Sequence, residues 1–264
     1  QIPCIFEQIN TTGFHNGFAF ENLASSEELV IVRENGTLLS IPDNLSVEGT
    51  SFENHLLLVQ DKETKLYGYC DSEGYCAIPP QFEDADSFQN DYAPISQNGK
   101  WSHIDLNGRV CSPAVFDSPY YFESERAIAM KNGSPVLIDT SGDTLKILDS
   151  ELTYDFLPEG IALFSSRFYT GLIDIEGNEL LPLSEEMYID PYPTDGHFFS
   201  EGKHPVMNDE GKWGYIDLSG QIVIECKWNR VCPFNNGLAR VYLDDKMALI
   251  DHFGTIIWEE GGEE

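Results

Sequence analysis

Apolar and polar positions alternate in short runs along this chain, and no long window carries the 3.6-residue period of an amphipathic helix. The clearest stretch is Lys212–Leu243. Trp213, Tyr215 and Asp217, followed by Ile222 and Ile224, keep a period of two that a short turn interrupts, which predicts a β-hairpin. The turn runs from Asp217 to Gly220. Aspartate opens such a turn by accepting backbone N–H bonds, and glycine closes it in the left-handed position of a G1 bulge. A short strand follows, often ended by proline as at Ile78-Pro79, Ser112-Pro113 and Leu181-Pro182. Next come a weakly patterned extended stretch such as Pro80–Phe88, a Phe-led turn, and an apolar strand such as Leu238–Leu243. The pattern predicts three clear strands and one weak strand per unit.

The unit recurs seven times. Phe- or Leu-led turns begin at Phe14, Phe52, Phe88, Phe122, Leu157, Phe199 and Phe234. A second mark, apolar-Asp-x-x-Gly, closes on Gly36, Gly74, Gly108, Gly142, Gly177, Gly220 and Gly254, at steps of 38, 34, 34, 35, 43 and 34 residues. Two marks in one register define a repeat protein, and periods of ~20–50 residues stack or close into rings. Ile2-Pro3-x-x-Phe6-Glu7 at the start matches Ile78-Pro79-x-x-Phe82-Glu83, and the last unit ends on Gly254 and Ile256–Trp258, just where that segment would follow. This complementary split predicts an all-β, closed seven-bladed β-propeller, because closure removes exposed edge strands. The alternative is an open β-hairpin superhelix, since ~34 residues is short beside the ~40–45 common for a four-stranded blade. The expected organisation is one repeat domain over 1–258 and an acidic tail over 259–264. If the first segment completes the last sheet, deleting residues 1–8 should lower the melting temperature well beyond any effect of removing the tail. Equal tolerance of both truncations would rule the closure out.

The motif residues are Lys212-Trp213-Gly214-Tyr215-Ile216-Asp217, Gly220, Ile222–Ile224, Phe234-x-x-Gly237-Leu238-Ala239 and Val241. Lys100-Trp101 with Ile104-Asp105 and Gly108 repeats them, as does Tyr67-Gly68-Tyr69 with Asp71, Gly74 and Ile78–Phe82. In these the chain resembles the bacterial WG-repeat (KWG) proteins. The Trp position degrades elsewhere to Leu29, Pro135, Thr170 and Met247. The resemblance implies repeated β-structure and an interaction role, and it brings no catalytic residues with it.

Charge sharpens the functional reading. A formal net charge of −30, from 45 acidic against 15 basic side chains, argues against nucleic acid, which needs a basic footprint, and against anionic membranes. It favours a basic protein partner, whose encounter a dense negative field accelerates. No run reaches the ~18 apolar residues of a membrane-spanning helix. Gln1 in place of Met marks a processed or trimmed start, which leaves secretion open; bacterial cytoplasm and cell envelope are the expected compartments. Six cysteines are too few for a disulfide scaffold. Cys70 and Cys76 flank the Asp71–Gly74 turn, as Ile104 and Val110 or Ile216 and Ile222 flank theirs, so the pair is expected to fill a core position.

Hydrolase and nucleotide-binding motifs such as H-E-x-x-H, G-x-S-x-G and the Walker loop do not occur. The six histidines are scattered and expected at turns or on the surface, with no metal and no cofactor. Asp71, Asp105, Asp139, Asp174, Asp217 and Asp251 would lie on B–C turns of successive blades. They read as a carboxylate docking ring or, more plainly, as the residues that open the turns. Three expansions break the regularity: Pro182–Phe199, Glu21–Glu28 and Asp61–Lys65, all expected on the face opposite the Asp turns. Loops on a rigid scaffold carry function, and exposed aromatics beside acids suit protein contact. The partner-binding residues are accordingly placed at Glu185, Glu186, Tyr188, Asp190, Tyr192, Asp195, His197 and Phe198. The expected protein is a monomeric, non-enzymatic binder of another macromolecule, in concrete form an immunity-type antagonist of a basic bacterial toxin. A carbohydrate-binding or glycan-hydrolysing propeller, or an envelope scaffold, is the alternative.

Overall fold

The computed structural model describes residues 14, 16–22, 29–49, 52–148, 152–153, 156–166, 169–182, 184, 186–189 and 199–261. Among them every regular element is a β-strand, and the strands form seven antiparallel sheets of three or four strands, in chain order. The second sheet shows the plan: Leu45–Val47, Leu56–Asp61, Tyr67–Asp71 and Cys76–Phe82, each paired with the next. The sixth repeats it with Met187–Ile189, Lys203–Asn208, Trp213–Asp217 and Ile222–Trp228. The seventh consists of Arg230–Val231, Ala239–Leu243, Lys246–Ile250 and Ile256–Glu259. Among the described residues, three clear strands and one weak strand are thus present in the second, fifth, sixth and seventh sheets, and the other three sheets have three strands.

One expectation about strand order is corrected. The extended stretch belongs to the sheet that follows it: Asp84 pairs with Ser96 and Ala85 with Ile95 of the third sheet. It does so because Ala85 finds its apolar neighbours there, in the core shared by the second and third sheets. Where the weak strand is present it therefore comes first in its sheet, and in the four-stranded sheets the Asp turns join the third and fourth strands, not the second and third.

The chain divides into two compact units, Gln1–Leu145 and Lys146–Glu264. In the first, Leu57, Val59 and Cys70 of the second sheet pack on Phe18 and Ile31 of the first. Leu56, Leu58 and Tyr69, their immediate neighbours in sequence, pack the other way on Ala93, Ile95 and Ile104 of the third. In the second unit Ile216 faces Ile189 and Leu172, while Tyr215, Ile224 and Trp228 face Phe234, Val241 and Ile250. Successive side chains point to opposite faces of a strand, so burying both faces demands continuous apolar runs such as Leu56–Val59.

The glycine of the Trp-Gly motif has a packing cause. A Cβ on Gly214 would lie 2.4 Å from the Ile224 carbonyl oxygen, and one on Gly68 would lie 2.6 Å from that of Ile78. In both sheets the register of the third and fourth strands shifts at this point, so the fourth strand crosses directly over the glycine. The third sheet supplies the converse. Ser102 stands in the glycine position of Lys100–Asp105, and here the regular fourth strand is replaced by isolated bridges, Trp101 to Phe116 and Ile104 to Val110. The Ser102 hydroxyl instead donates to the Ser112 carbonyl at 2.6 Å.

Two histidines are buried, against the expectation of turn or surface positions: His103 and His204. His103 occupies the column of Tyr69 and Tyr215, whose hydroxyls donate to carbonyls seventeen residues ahead, Asp86 at 2.6 Å and Cys232 at 2.7 Å. The shorter imidazole meets a side chain at the same separation, Tyr120, whose hydroxyl lies 2.8 Å from Nδ1. Nε2–H donates to the Thr140 carbonyl at 2.8 Å, which leaves Nδ1 as the acceptor of a neutral ring. Burial lowers its pKa below the ordinary value of 6.5. A depressed folded-state pKa gives stability that is present above the unfolded value and lost as pH falls below it. The melting temperature is therefore expected to decline below about pH 6.5, and more steeply below about pH 4 as Asp217 and Asp251, whose pKa values the fold lowers, take up protons. A first decline that persists in His103→Gln would assign it to another group.

The segment Ile2–Glu7, on which ring closure was read, lies outside the described residues. At the other end Glu259 belongs to the last strand and the Glu260 N–H donates to the Met247 carbonyl at 2.8 Å. The control for the N-terminal deletion is accordingly removal of residues 262–264.

Candidate protein-binding edge

In an antiparallel meander the connections after the first and third strands emerge at one edge and the connection after the second at the other. The Phe-led turns and the Asp turns therefore share an edge of each sheet. At all six Asp turns the Oδ1 atom accepts the backbone N–H groups two and four residues ahead, at 2.7–3.1 Å. The aspartate carbonyl takes the glycine N–H at 2.9–3.0 Å. These carboxylates are turn formers. The Ser219 hydroxyl and the turn N–H groups hold Asp217 below the usual carboxylate range, and the Thr255 N–H does so for Asp251. In the first sheet Arg33 stands where the others have Asp, and Asn35 Oδ1 takes over by accepting the Thr37 N–H at 2.9 Å. Freed from the turn, Arg33 reaches the next one, donating to the Ser72 carbonyl at 2.8 Å and to Glu73 at 3.2 Å.

The turn tips carry exposed apolar side chains: Tyr75, Leu106, Leu218 and Phe253, the last 87% exposed. Between the sixth and seventh sheets this edge is built up most. His252, beside Phe253, stacks on Phe234 with ring centroids 4.7 Å apart and planes 8° from parallel. Its Nε2 lies 3.0 Å from Glu201, and Lys203 Nζ lies 3.1 Å from Nδ1 and 5.5 Å from the Phe234 ring centre. The Ser200 hydroxyl ties the two Phe-led turns together by donating to the Phe234 carbonyl at 2.6 Å. Beside this cluster opens a groove of about 860 Å³, with Phe234, Leu238, Met247 and Leu249 as apolar wall and Glu201 and Arg240 as its charges. The arrangement suits a partner that buries an apolar patch and presents cations to the surrounding acids.

Of the residues expected to bind, Glu186 is exposed and its N–H bonds the Ser184 hydroxyl at 2.9 Å. Tyr188 is a strand residue paired with Met207, with its ring edge-on to Trp213 at 6.5 Å. Glu185, Asp190, Tyr192, Asp195, His197 and Phe198 lie outside the described residues. The connection that contains most of them joins the first strand of the sixth sheet, Met187–Ile189, to the second, Lys203–Asn208. Its ends therefore lie at the Asp-turn edge, not opposite it as expected, because the weak strand belongs to the following sheet. The other two expansions join Phe18–Asn22 to Leu29–Arg33 and Leu56–Asp61 to Tyr67–Asp71, at the opposite edge as expected. Leu218, Phe253 and His252 escaped sequence reasoning. Phe253 has one signal, an aromatic residue at a turn position that polar residues fill in the other units, whereas Leu218 has none, because Leu106 and Ile175 fill its position elsewhere.

Seven meander sheets with such turns make this an all-β, propeller-like repeat protein. A family model described as WG containing repeat matches residues 67–101 and 213–246, so these two segments are WG repeats. No curated protein matches it in sequence. Among solved structures it is similar to a eukaryotic initiation factor, at 12% identity and a TM-score of 0.49 over 92% of this chain and 72% of that one. Hsv2p of Kluyveromyces lactis is similar at 9% identity and a TM-score of 0.42, over 89% and 93%. PorZ, a surface component of the type-IX secretion system of Porphyromonas gingivalis, is similar at 12% identity and a TM-score of 0.34, over 95% and 39%. The fold assignment rests on the sheets themselves.

Proposed function

We propose that this chain is a non-enzymatic binding protein that holds a basic protein partner at the turn edge of its sixth and seventh sheets. The observation that carries the reading is the exposed pair Leu218 and Phe253, standing on rigid turns among carboxylates. Rigid turns lose little entropy on binding, apolar tips supply contact area, and the acidic surface speeds encounter. In its most specific form the reading is an immunity-type antagonist that occupies a basic secreted toxin. Affinity capture by the purified chain, at low and then high salt, tests it. A basic protein should be retained at low salt and released as salt screens the attraction. The double variant Leu218→Ala, Phe253→Ala should bind that protein at least about tenfold more weakly at an unchanged melting temperature. Hydrolysis of a glycan, abolished by one carboxylate substitution, would overturn the reading in favour of an enzyme.

A further inference from the structure

The Sγ atoms of Cys70 and Cys76 lie 4.0 Å apart, and both cysteines are free thiols. They are register partners on the third and fourth strands of the second sheet. The pair lies one step beyond Asp71 and Tyr75, whose N–H and carbonyl are hydrogen-bonded at 2.8 Å. That makes it a non-hydrogen-bonded pair, the type in which antiparallel side chains come closest. Its counterparts are bulky aliphatic pairs, Ile104 with Val110, Ile216 with Ile222 and Ile250 with Ile256. Two thiols fill less space there and bring two sulfurs to a separation from which small side-chain rotations reach bonding distance.

We propose that Cys70 and Cys76 form a redox-responsive pair that closes to a disulfide by exchange with a small-molecule disulfide such as oxidised glutathione. The two thiols divide the labour. Cys70 is fully buried, and burial together with the neighbouring Cys76 raises its pKa to about 12. Cys76 is partly exposed and is the thiol that meets the oxidant first. Its thiolate attacks one glutathione sulfur, forming the mixed disulfide and releasing one glutathione thiolate. Cys70 passes its proton to the released glutathione thiolate and attacks the Cys76 sulfur, forming the intramolecular disulfide. This expels the second glutathione as thiolate, which takes up the proton that Cys76 gave to water on ionising. Two protein thiols are oxidised, one glutathione disulfide is reduced to two thiols, and no further oxidant is needed. The product staples the third strand to the fourth across the Asp71–Gly74 turn.

The test uses the whole chain, incubated with oxidised glutathione and then alkylated, digested and analysed by mass spectrometry. A cross-link between the Cys70 and Cys76 peptides, lighter by two hydrogen atoms and reversed by dithiothreitol, is expected. Cys76→Ser, a change at a partly exposed position, should leave Cys70 unmodified under the same conditions. A stable glutathione adduct on Cys76 with Cys70 still alkylatable after unfolding would overturn the proposal. So would both cysteines remaining free while the partly buried Cys111, Cys226 or Cys232 is modified.

Discussion

Gly220→Ala is expected to destabilise the protein by about 3 kcal/mol, against about 1 kcal/mol for Gly237→Ala. Both glycines have positive φ, 77° and 81°. An L-residue pays a similar conformational cost at either position, so dihedral strain alone would make the two variants equal. They differ in their surroundings. A Cβ at Gly220 would sit 2.5 Å from the Leu180 carbonyl oxygen and 2.8 Å from its carbon, whereas nothing lies within 4 Å of one at Gly237. Leu180 belongs to Glu179–Leu181, the last strand of the fifth sheet, so the obstacle is backbone and the sheet itself must move. In a chain of this size the difference should separate the melting temperatures by about 4–8 °C. Equal melting temperatures would mean that the fifth and sixth sheets do not meet at this turn.

The same contrast separates what the sequence discloses from what it conceals. The Asp turns are legible because their chemistry is local: one oxygen accepts N–H groups two and four residues on, so the residue types alone dictate the turn. The Phe-led turns are legible for the same reason. Strand membership is not local. Asp84–Ala85 follows Cys76–Phe82 directly in sequence but pairs across to Tyr92–Gln97, and only the position of Ala85 in the next core decides it. That single misplacement put the Asp turns between the wrong pair of strands and one of the three expansions at the wrong edge. His103 was readable in principle, since it falls in the column of two tyrosines that reach seventeen residues ahead. Ser102 was readable as a departure from the motif's glycine column, but its consequence was not: Ala248 stands in the same column of the seventh sheet and still pairs with Glu259 of a regular fourth strand. Charge and the lack of hydrolase motifs favour a protein partner, whereas the proposed contact residues, Leu218 and Phe253, sit at turn tips that any side chain can occupy without harming the fold. Such positions carry no periodicity for the eye to follow.

Trp228 gives the second large effect, with a conservative variant as internal control. Its side chain is 1% exposed, in the core where Tyr215 and Ile224 meet Phe234, Val241 and Ile250. Trp228→Ala should cost about 3–5 kcal/mol, the transfer term of a large aromatic plus the cavity it leaves. The indole N–H, however, has no acceptor among the described residues. A buried donor without a partner costs about 1–3 kcal/mol. Trp228→Phe removes that donor while keeping most of the ring, so its net cost is expected to be about 1 kcal/mol or less. The consequence for binding follows from what this core positions. Phe234 is both a core residue and the surface on which His252 stacks, so loosening the core displaces the turn that carries Phe253. Trp228→Ala should therefore weaken partner binding together with stability, whereas Trp228→Phe should preserve both. Urea denaturation of the two variants, set beside their affinity for the captured partner, measures this. A Phe variant as unstable as the Ala variant would show that the indole N–H is bonded and that its partner holds this corner of the seventh sheet.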